Sequence, residues 1–154
     1  MELEKEIGQS SFANEHHKLL VNILFTHSWF VSKIKEFLKH FGISVQQFNI
    51  LRILRGQSPD AATLNLISER MLDQNSDASR IVERLRQKQM VERTTSQEDR
   101  RKVAIVITQK GLDVLAQIDQ QEHFFSSLTN NLSEEEAHYA NNMLDALRTI
   151  NRTS

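Results

Sequence analysis

Hydrophobic residues recur at helical spacing along most of this chain. The first stretch covers about residues 10–40 and is followed by Gly42, a residue type that commonly ends helices. Its apolar residues exceed a single stripe, since Val21 and Phe25 lie off the main face. The pattern therefore predicts one long helix that packs on two sides, one of which is available to another subunit.

Shorter helices are predicted after this first one. Ser44 and Gln47 have the spacing of a capping box, in which each side chain bonds the backbone N–H of the other residue. We expect this helix to run to about Arg55, with Gly56 as its left-handed stop. Thr63 then stands where it can cap a third, short helix.

The next predicted helix, residues 75–88, has a narrow apolar face. Four residues at helical spacing form that face: Ala78, Ile81, Val82 and Leu85. Polar residues occupy the other directions, with Ser76, Arg80, Glu83 and Gln87 opposite and Ser79 and Arg84 on the flanks. Two short helices joined by a tight turn, with serine and arginine exposed on the second, are suited to reading a DNA major groove.

Two β-prone runs follow this helix. Residues 90–94 and 103–107 flank a charged tip and predict a two-stranded hairpin, or wing. Thr108 is placed to cap a long helix that extends as far as Leu128, and Ser133 begins a capping box before the final helix. The predicted fold class is mainly α with a small two-stranded β wing.

The composition agrees with one mainly helical domain. The chain has 154 residues, four glycines, one proline and no cysteine. Disulfides and thiolate metal sites are therefore excluded. The acidic start lacks the order of a signal peptide, and no apolar run approaches the roughly 18 residues of a membrane span. We expect a cytoplasmic protein that does not enter a membrane.

The charge is unevenly distributed along the chain. The formal net charge is only −1. Residues 75–111, however, contain nine Lys/Arg and five Asp/Glu, a local charge of +4, and the remainder therefore carries −5. A basic segment in an acidic frame favours a focused nucleic-acid footprint over diffuse binding to polyanions.

The candidate DNA contacts lie on the helix and on the hairpin tip. They are Ser76, Asp77, Ser79, Arg80 and Arg84 on the helix, and Arg100, Arg101 and Lys102 on the tip. Simpler interpretations stay open for several of them. The cationic tip taken alone is also typical of a solvated hairpin. Arg84 could form an ion pair along the helix, and Asp77 could act only by a favourable interaction with the helix macrodipole.

Metal-dependent and catalytic functions find no support in the sequence. The six histidines lack the spacing of paired histidine ligands on one helix face, because His16 and His17 are adjacent and none of the others has a second histidine four residues away. No nucleophile with a base, or pair of acids, forms a recognisable constellation. We expect no metal, no cofactor and no enzymatic activity.

Several of these segments together resemble the MarR regulators, the multiple-antibiotic-resistance type of winged helix-turn-helix transcription factor. The sharpest signature is matched by Asp99, Arg101, Ile107 in place of leucine, Thr108 and Gly111. Residues 79–85 and 90–93 look like the recognition helix and the first wing strand of that family. The resemblance extends over nearly the whole chain.

The resemblance implies roles for individual residues. Arg101 would enter the minor groove from the wing tip, Asp99 would brace that tip through an arginine, and the start of the recognition helix would face the major groove. A small-molecule pocket would lie between the dimer platform and the DNA-binding lobe, with Trp29 and Phe30 as candidate lining residues. Gln89 stands where the family usually has glycine, so that the turn from helix to wing is expected to differ.

The sequence thus predicts a single unit, residues 1–154. Within it, residues 44–107 would form the winged helix-turn-helix, and residues 10–41 and 108–151 would supply the helices of a dimer platform. The predicted function is a homodimeric regulator on an inverted-repeat operator in double-stranded DNA, acting as a repressor released by a small-molecule effector. The alternative is an adapter that uses the winged helix to bind proteins and does not touch DNA.

Overall fold

The structure is a computed structural model that describes residues 2–9, 11–95 and 99–149. The chain divides into two compact units, Met1–Ala116 and Gln117–Ser154. Among the described residues, no helix is long and apolar enough to cross a membrane.

The described residues form helices and three short strands. The helices are α1 Leu3–Ile7, α2 Glu15–Lys39, α3 Val45–Gln57, α4 Leu64–Arg70, α5 Ala78–Gln87, α6 Gln109–Asp119, α7 Glu122–Ser127 and α8 Glu134–Thr149. The strands are β1 Ala62–Thr63, β2 Val91–Thr95 and β3 Val103–Ile107. The predicted mainly helical winged-helix fold is confirmed.

The sheet has one more strand than predicted. Its order is β1-β3-β2, and both pairs are antiparallel. Strand β1 is only two residues long, with Ala62 opposite Ile105 and Thr63 opposite Ala104. Thr63 also caps α4, since its Oγ1 accepts a hydrogen bond from the Leu66 backbone N–H at 3.2 Å. One short segment therefore ties the helix-turn-helix to the wing sheet.

The helix starts follow the predicted local chemistry. The capping box at α3 is complete, because Ser44 Oγ accepts from the Gln47 N–H and Gln47 Oε1 accepts from the Ser44 N–H, both at 3.1 Å. Helix α2 begins after Asn14, whose side chain accepts from the His17 N–H at 2.9 Å. At the other end of α2, Gly42 has a φ of 68°, as expected for a helix stop.

Two sequence-based predictions of element bounds were wrong, and one helix was missed. Gly56 lies inside α3 rather than ending it, and the helix stops at Gln57, two residues before Pro59. The predicted long helix after Thr108 is broken between Asp119 and Glu122, giving α6 and α7. The short helix α1 was not predicted at all.

The core of the first unit lies where α2, α3, α4 and α5 meet the sheet. Its most deeply buried side chains are Leu38, Ile50, Leu51, Leu54, Ile67, Val82, Leu85, Val91 and Ile105. Helix α5 contributes the face predicted from its periodicity, with Ala78, Val82 and Leu85 buried. Burial of this face fixes which side chains of α5 point away from the core.

Large apolar side chains remain exposed on α2. Leu20 and Leu24 retain 57% and 59% of their accessible surface, and Leu19 and Trp29 are also exposed. The chain as it stands leaves this row uncovered, in agreement with the surplus of apolar positions in the sequence.

The second unit contains α7 and α8. Helix α8 starts with the predicted capping box, in which Glu136 Oε2 accepts from the Ser133 N–H at 2.8 Å and Ser133 Oγ accepts from the Glu136 N–H at 3.2 Å. Its exposed apolar residues are Tyr139, Met143, Leu144 and Leu147. Their spacing places them along one side of the helix.

Candidate nucleic-acid interface

Helix α5 is held at its start by Asp77. The Asp77 carboxylate accepts a hydrogen bond from the Arg80 backbone N–H at 3.1 Å and so acts as the helix cap. Substitution of such a cap costs about 1 kcal/mol. Asp77 therefore serves as the cap of α5, and this hydrogen bond occupies one of its two carboxylate oxygens.

Arg80 and Arg84 point outward from α5, one turn apart. Both are exposed, and neither guanidinium has a hydrogen bond or ion pair with any residue that the structure describes. Exposed Ser79 lies beside them. These residues line an open groove along the outer face of the helix, which also includes Glu83, Arg86 and Arg93.

Glu83 forms the main ion pairs of this groove. Its carboxylate binds Arg86 through two hydrogen bonds of 2.8 and 3.0 Å, and its Oε2 atom also accepts from Arg93 at 3.1 Å. The hydrogen bonds from Arg86 hold the pKa of Glu83 below its usual value. Because Arg93 belongs to β2, this contact joins the helix to the wing.

Ser76 is placed differently from the other candidates. Its Oγ atom is buried and has no hydrogen-bond partner among the described residues. It lines a small pocket between the start of α5 and the start of α3, together with Ser44 and Asp73. Ser76 therefore lies under the outer face of α5, where Ser79 and Arg80 are exposed.

Lys88 is directed back into the protein. Its Nζ atom donates to the Gly42 carbonyl at 2.5 Å and to Gln47 Oε1 at 3.0 Å. Gln47 is only 6% exposed and is also the capping-box partner of Ser44. The end of α5 is thus bonded to the turn between α2 and α3, and the Lys88 ammonium is occupied by that contact.

The wing tip contains a local turn closed by Asp99. The Asp99 carboxylate accepts from the Arg101 backbone N–H at 3.0 Å, and the Asp99 carbonyl accepts from the Lys102 N–H at 2.9 Å. The brace therefore contacts the backbone of an arginine and not its guanidinium. Arg100, Arg101 and Lys102 are exposed at this turn, while tip residues 96–98 lie outside the described residues.

The turn from α5 to β2 contains Gln89 with a φ of 61°. Gln89 thus adopts the left-handed conformation that glycine favours at a helix end, and the difference expected in this turn stays a prediction. Thr108 stabilises the turn, because its Oγ1 donates to the Gln89 carbonyl at 2.7 Å and accepts from the Gly111 N–H at 3.2 Å. The Thr108 N–H also donates to the Met90 carbonyl at 3.0 Å. The start of α6 is thereby bonded directly to the turn that follows α5.

Gly111 is required by this packing. A Cβ atom at Gly111 would lie 2.5 Å from the Met90 carbonyl oxygen and 2.7 Å from Ile107 Cγ1. The Thr108 and Gly111 pair of the sequence signature therefore serves close contact between α6 and the helix-to-wing turn.

Trp29 and Phe30 lie next to each other on α2. Their rings meet edge to face with centroids 5.0 Å apart, and Trp29 is 42% exposed.

A metal site has no candidate among the described residues, since no group of three potential ligands is formed there. The arginines and serines of the site suit contacts with phosphates and bases.

Two important contacts were missed by the sequence analysis. The Lys88 to Gln47 bond and the Glu83 to Arg93 ion pair join residues 41 and 10 positions apart. Glu83 lies in the predicted helix and Arg93 in the predicted strand that follows it, and their opposite charges could have suggested the second pair. No pattern in the sequence indicated the first.

Comparison with known proteins adds independent information. A family model described as the MarR family matches residues 41–102, from the end of the first helical region to the wing tip. No curated protein matches the chain. The matched segment contains α3, β1, α4, α5 and β2, and the groove described above is lined by residues of α5, its cap Asp77 and β2.

Solved structures share the fold over almost the whole chain. A mutant MarR from E. coli complexed with operator DNA has a TM-score of 0.76 and 24% identity, covering 90% of this chain and 99% of that one. MepR from S. aureus in complex with DNA has a TM-score of 0.72 and 22% identity, covering 90% and 98%. BpsR from Bordetella bronchiseptica, whose DNA binding is regulated by 6-hydroxynicotinic acid, has a TM-score of 0.69 and 18% identity, covering 85% and 98%.

Proposed function

We propose that the chain is a winged-helix transcription regulator of the MarR family, whose family model matches residues 41–102, and that it binds an inverted-repeat operator in double-stranded DNA as a homodimer. We propose further that it acts as a repressor that a small molecule releases. The whole of residues 1–154 would form one functional unit. Residues 44–107 would be its DNA-binding lobe, and residues 10–41 and 108–151 its dimerisation helices.

The observation that carries this proposal is the set of exposed arginines on α5 and the wing. Arg80 and Arg84 have no described side-chain partner, and Arg100, Arg101 and Lys102 are exposed together on the wing turn. Guanidinium groups bind guanine edges and phosphates through paired hydrogen bonds. Two such groups of cations on adjacent elements support contact with neighbouring grooves of one duplex.

The candidate residues take distinct roles in this proposal. Ser79, Arg80 and Arg84 contact the major groove or its phosphates, whereas Arg101 enters the minor groove with Arg100 and Lys102 on the flanking backbone. Asp77 and Asp99 hold the backbone under these cations by the hydrogen bonds described above. Ser76, with its buried hydroxyl, supports the start of α5 rather than contacting a base.

A second copy of the chain supplies the partner in this proposal. Uncovered apolar rows on α2 and α8 support dimerisation, since exposed apolar patches mark association surfaces. A dimer would place two recognition helices in major grooves about 34 Å apart. The neighbouring aromatic residues Trp29 and Phe30 are proposed to line the effector pocket.

The test begins with selection of bound duplexes from a random pool, which supplies an operator for quantitative titration. Arg101→Ala is expected to weaken operator binding by about 1–3 kcal/mol per subunit, with the dimer intact. Lys35→Ala removes one positive charge from an exposed position on α2 and serves as the matched control. Equal effects of the two substitutions would contradict the wing assignment.

The same experiment addresses the adapter alternative. Phosphate contacts make DNA affinity fall steeply with salt. If the wild-type protein shows no salt-dependent retention on duplex DNA and no selected sequences, DNA binding is rejected and the adapter function is favoured.

A further inference from the structure

Glu83 places a negative charge among the four arginines that line the groove along α5. These are Arg80, Arg84, Arg86 and Arg93. The groove also includes Asp77, whose carboxylate caps α5, so Glu83 is the carboxylate that pairs with guanidinium groups. Phosphates repel a carboxylate, so its presence on a DNA-facing surface has a cost for binding. The ion pairs of Glu83 indicate how it affects the neighbouring arginines.

The carboxylate divides the four arginines into two kinds. It bonds Arg86 twice and Arg93 once at distances of 2.8–3.1 Å, which occupies one guanidinium on α5 and one on β2. Arg80 and Arg84 have no side-chain acceptor among the residues that the structure describes. Arg80 and Arg84 also lie closer to the start of α5 than Arg86 does.

The two ion pairs of Glu83 join different parts of the fold. Arg86 is three residues from Glu83 on the same helix, and pairing at that spacing is common on helix surfaces. Arg93 belongs to the wing strand, so that its bond to Glu83 crosses between two elements. Glu83 is 34% exposed in its side chain, which leaves water able to compete with these bonds but keeps the carboxylate inside the groove.

We propose that Glu83 is a specificity-determining residue that occupies Arg86 and Arg93 in the free protein and so withholds them from DNA phosphates. Arg80 and Arg84 then remain the groove cations that bind DNA, and the affinity for arbitrary sequences is kept low. This inference rests on the proposed DNA-binding function. In this role Glu83 sets the number of phosphates that the protein neutralises, which an ion pair that only stabilises the fold would not do.

The test measures binding of a random-sequence duplex between 50 and 200 mM salt. Each additional phosphate contact steepens the slope of log affinity against log salt by about 0.9, which is about 3.5-fold in affinity over this salt range. Glu83→Gln is expected to steepen the slope by about 0.9 per subunit for each arginine that it releases. It also raises the affinity at low salt.

Glu92→Gln is the matched control. Glu92 lies on β2 next to Arg93 in sequence, is exposed, and loses the same charge on substitution without a described ion pair. If a general change of charge were responsible, both variants would bind random DNA more tightly by the same factor, and the proposal would be overturned.

Arg93→Gln provides a second, independent comparison. In the Glu83→Gln background it is expected to reduce the slope again by about 0.9 per subunit, whereas in the wild-type background it leaves the slope unchanged. An equal reduction in both backgrounds would show that Arg93 binds phosphate whether or not Glu83 is present. That result overturns the proposal.

Failure of this inference can be distinguished from failure of the DNA-binding function. A wild-type protein that does not bind duplex DNA overturns both. A wild-type protein that binds DNA, with the same slope for Glu83→Gln, overturns only the role of Glu83. If Glu83→Gln does not fold, Glu83→Asp retains the charge but shortens the side chain by one methylene. It is then expected to release Arg93 and steepen the slope by about 0.9.

Discussion

Gly111 offers a sharp test of how the wing is attached to α6. Substitution with alanine adds a Cβ atom 2.5 Å from the Met90 carbonyl oxygen, a backbone atom that cannot move without disturbing β2. The same oxygen accepts the Thr108 N–H at 3.0 Å. Overpacking of this kind costs about 1–3 kcal/mol, and a weakened hydrogen bond adds about 1 kcal/mol.

A gain in helix propensity opposes this cost. Alanine is favoured over glycine inside a helix by about 1 kcal/mol, and Gly111 lies in α6. The net expectation is a loss of about 1–3 kcal/mol in the free energy of unfolding. A domain of this size shifts its melting temperature by about 2–4 °C per kcal/mol, so the loss is readily measured.

Gly56→Ala is the control within the same chain. Gly56 is exposed inside α3, and a Cβ atom there meets nothing within 4 Å. The same substitution is therefore expected to stabilise the protein by about 0.5–1 kcal/mol. Urea unfolding of both variants at equal protein concentration, which matters for a dimer, gives the comparison. A neutral or stabilised Gly111→Ala protein would refute the close contact between α6 and the helix-to-wing turn.

Three further predictions use other features of the structure. Gln89→Gly should raise the free energy of unfolding by up to about 1 kcal/mol, because Gln89 has a φ of 61° and glycine adopts such angles without strain; an unchanged urea midpoint would contradict this. Hydrogen bonds from Ser133 lower the pKa of Glu136, so its contribution to stability is present above the unfolded-state pKa and is lost as the pH falls through the folded-state pKa. Glu136→Gln should therefore flatten the acid side of the stability profile, and thermal melts that keep the wild-type acid dependence would count against it. Met143→Glu should shift the protein toward monomers in sedimentation velocity, because it places a charge in the exposed apolar row of α8, and retention of the wild-type dimer would exclude that row from the interface.

Sequence patterns were most informative where the causes are local. The capping boxes at Ser44 and Ser133 were predicted from residues three positions apart, and both are formed. The apolar seam of α5 follows from helical periodicity, and Ala78, Val82 and Leu85 are buried as expected. Gln89 was identified from the absence of glycine at a helix end.

Features that depend on tertiary contacts were not predicted. Strand β1 contains only two residues, too few for an alternating pattern, and its pairing partner lies about forty positions later in β3. The break between α6 and α7 falls at residues 120–121, where the sequence has glutamines and neither glycine nor proline. Local propensity therefore gave no reason to end the helix there. The roles of Lys88 and Glu83 depend on side chains that meet only in the folded chain.

The bond from Lys88 to the turn between α2 and α3 has a consequence for hydrogen exchange. Backbone amides near the end of α5 and those around Gly42 and Ser44 are joined through one ammonium group and the buried Gln47 side chain. Segments linked in this way tend to open together as one cooperative unit. A molecule that clamps the α2–α3 turn would therefore slow amide exchange at the end of α5 without touching it, and Lys88→Met would separate the two rates.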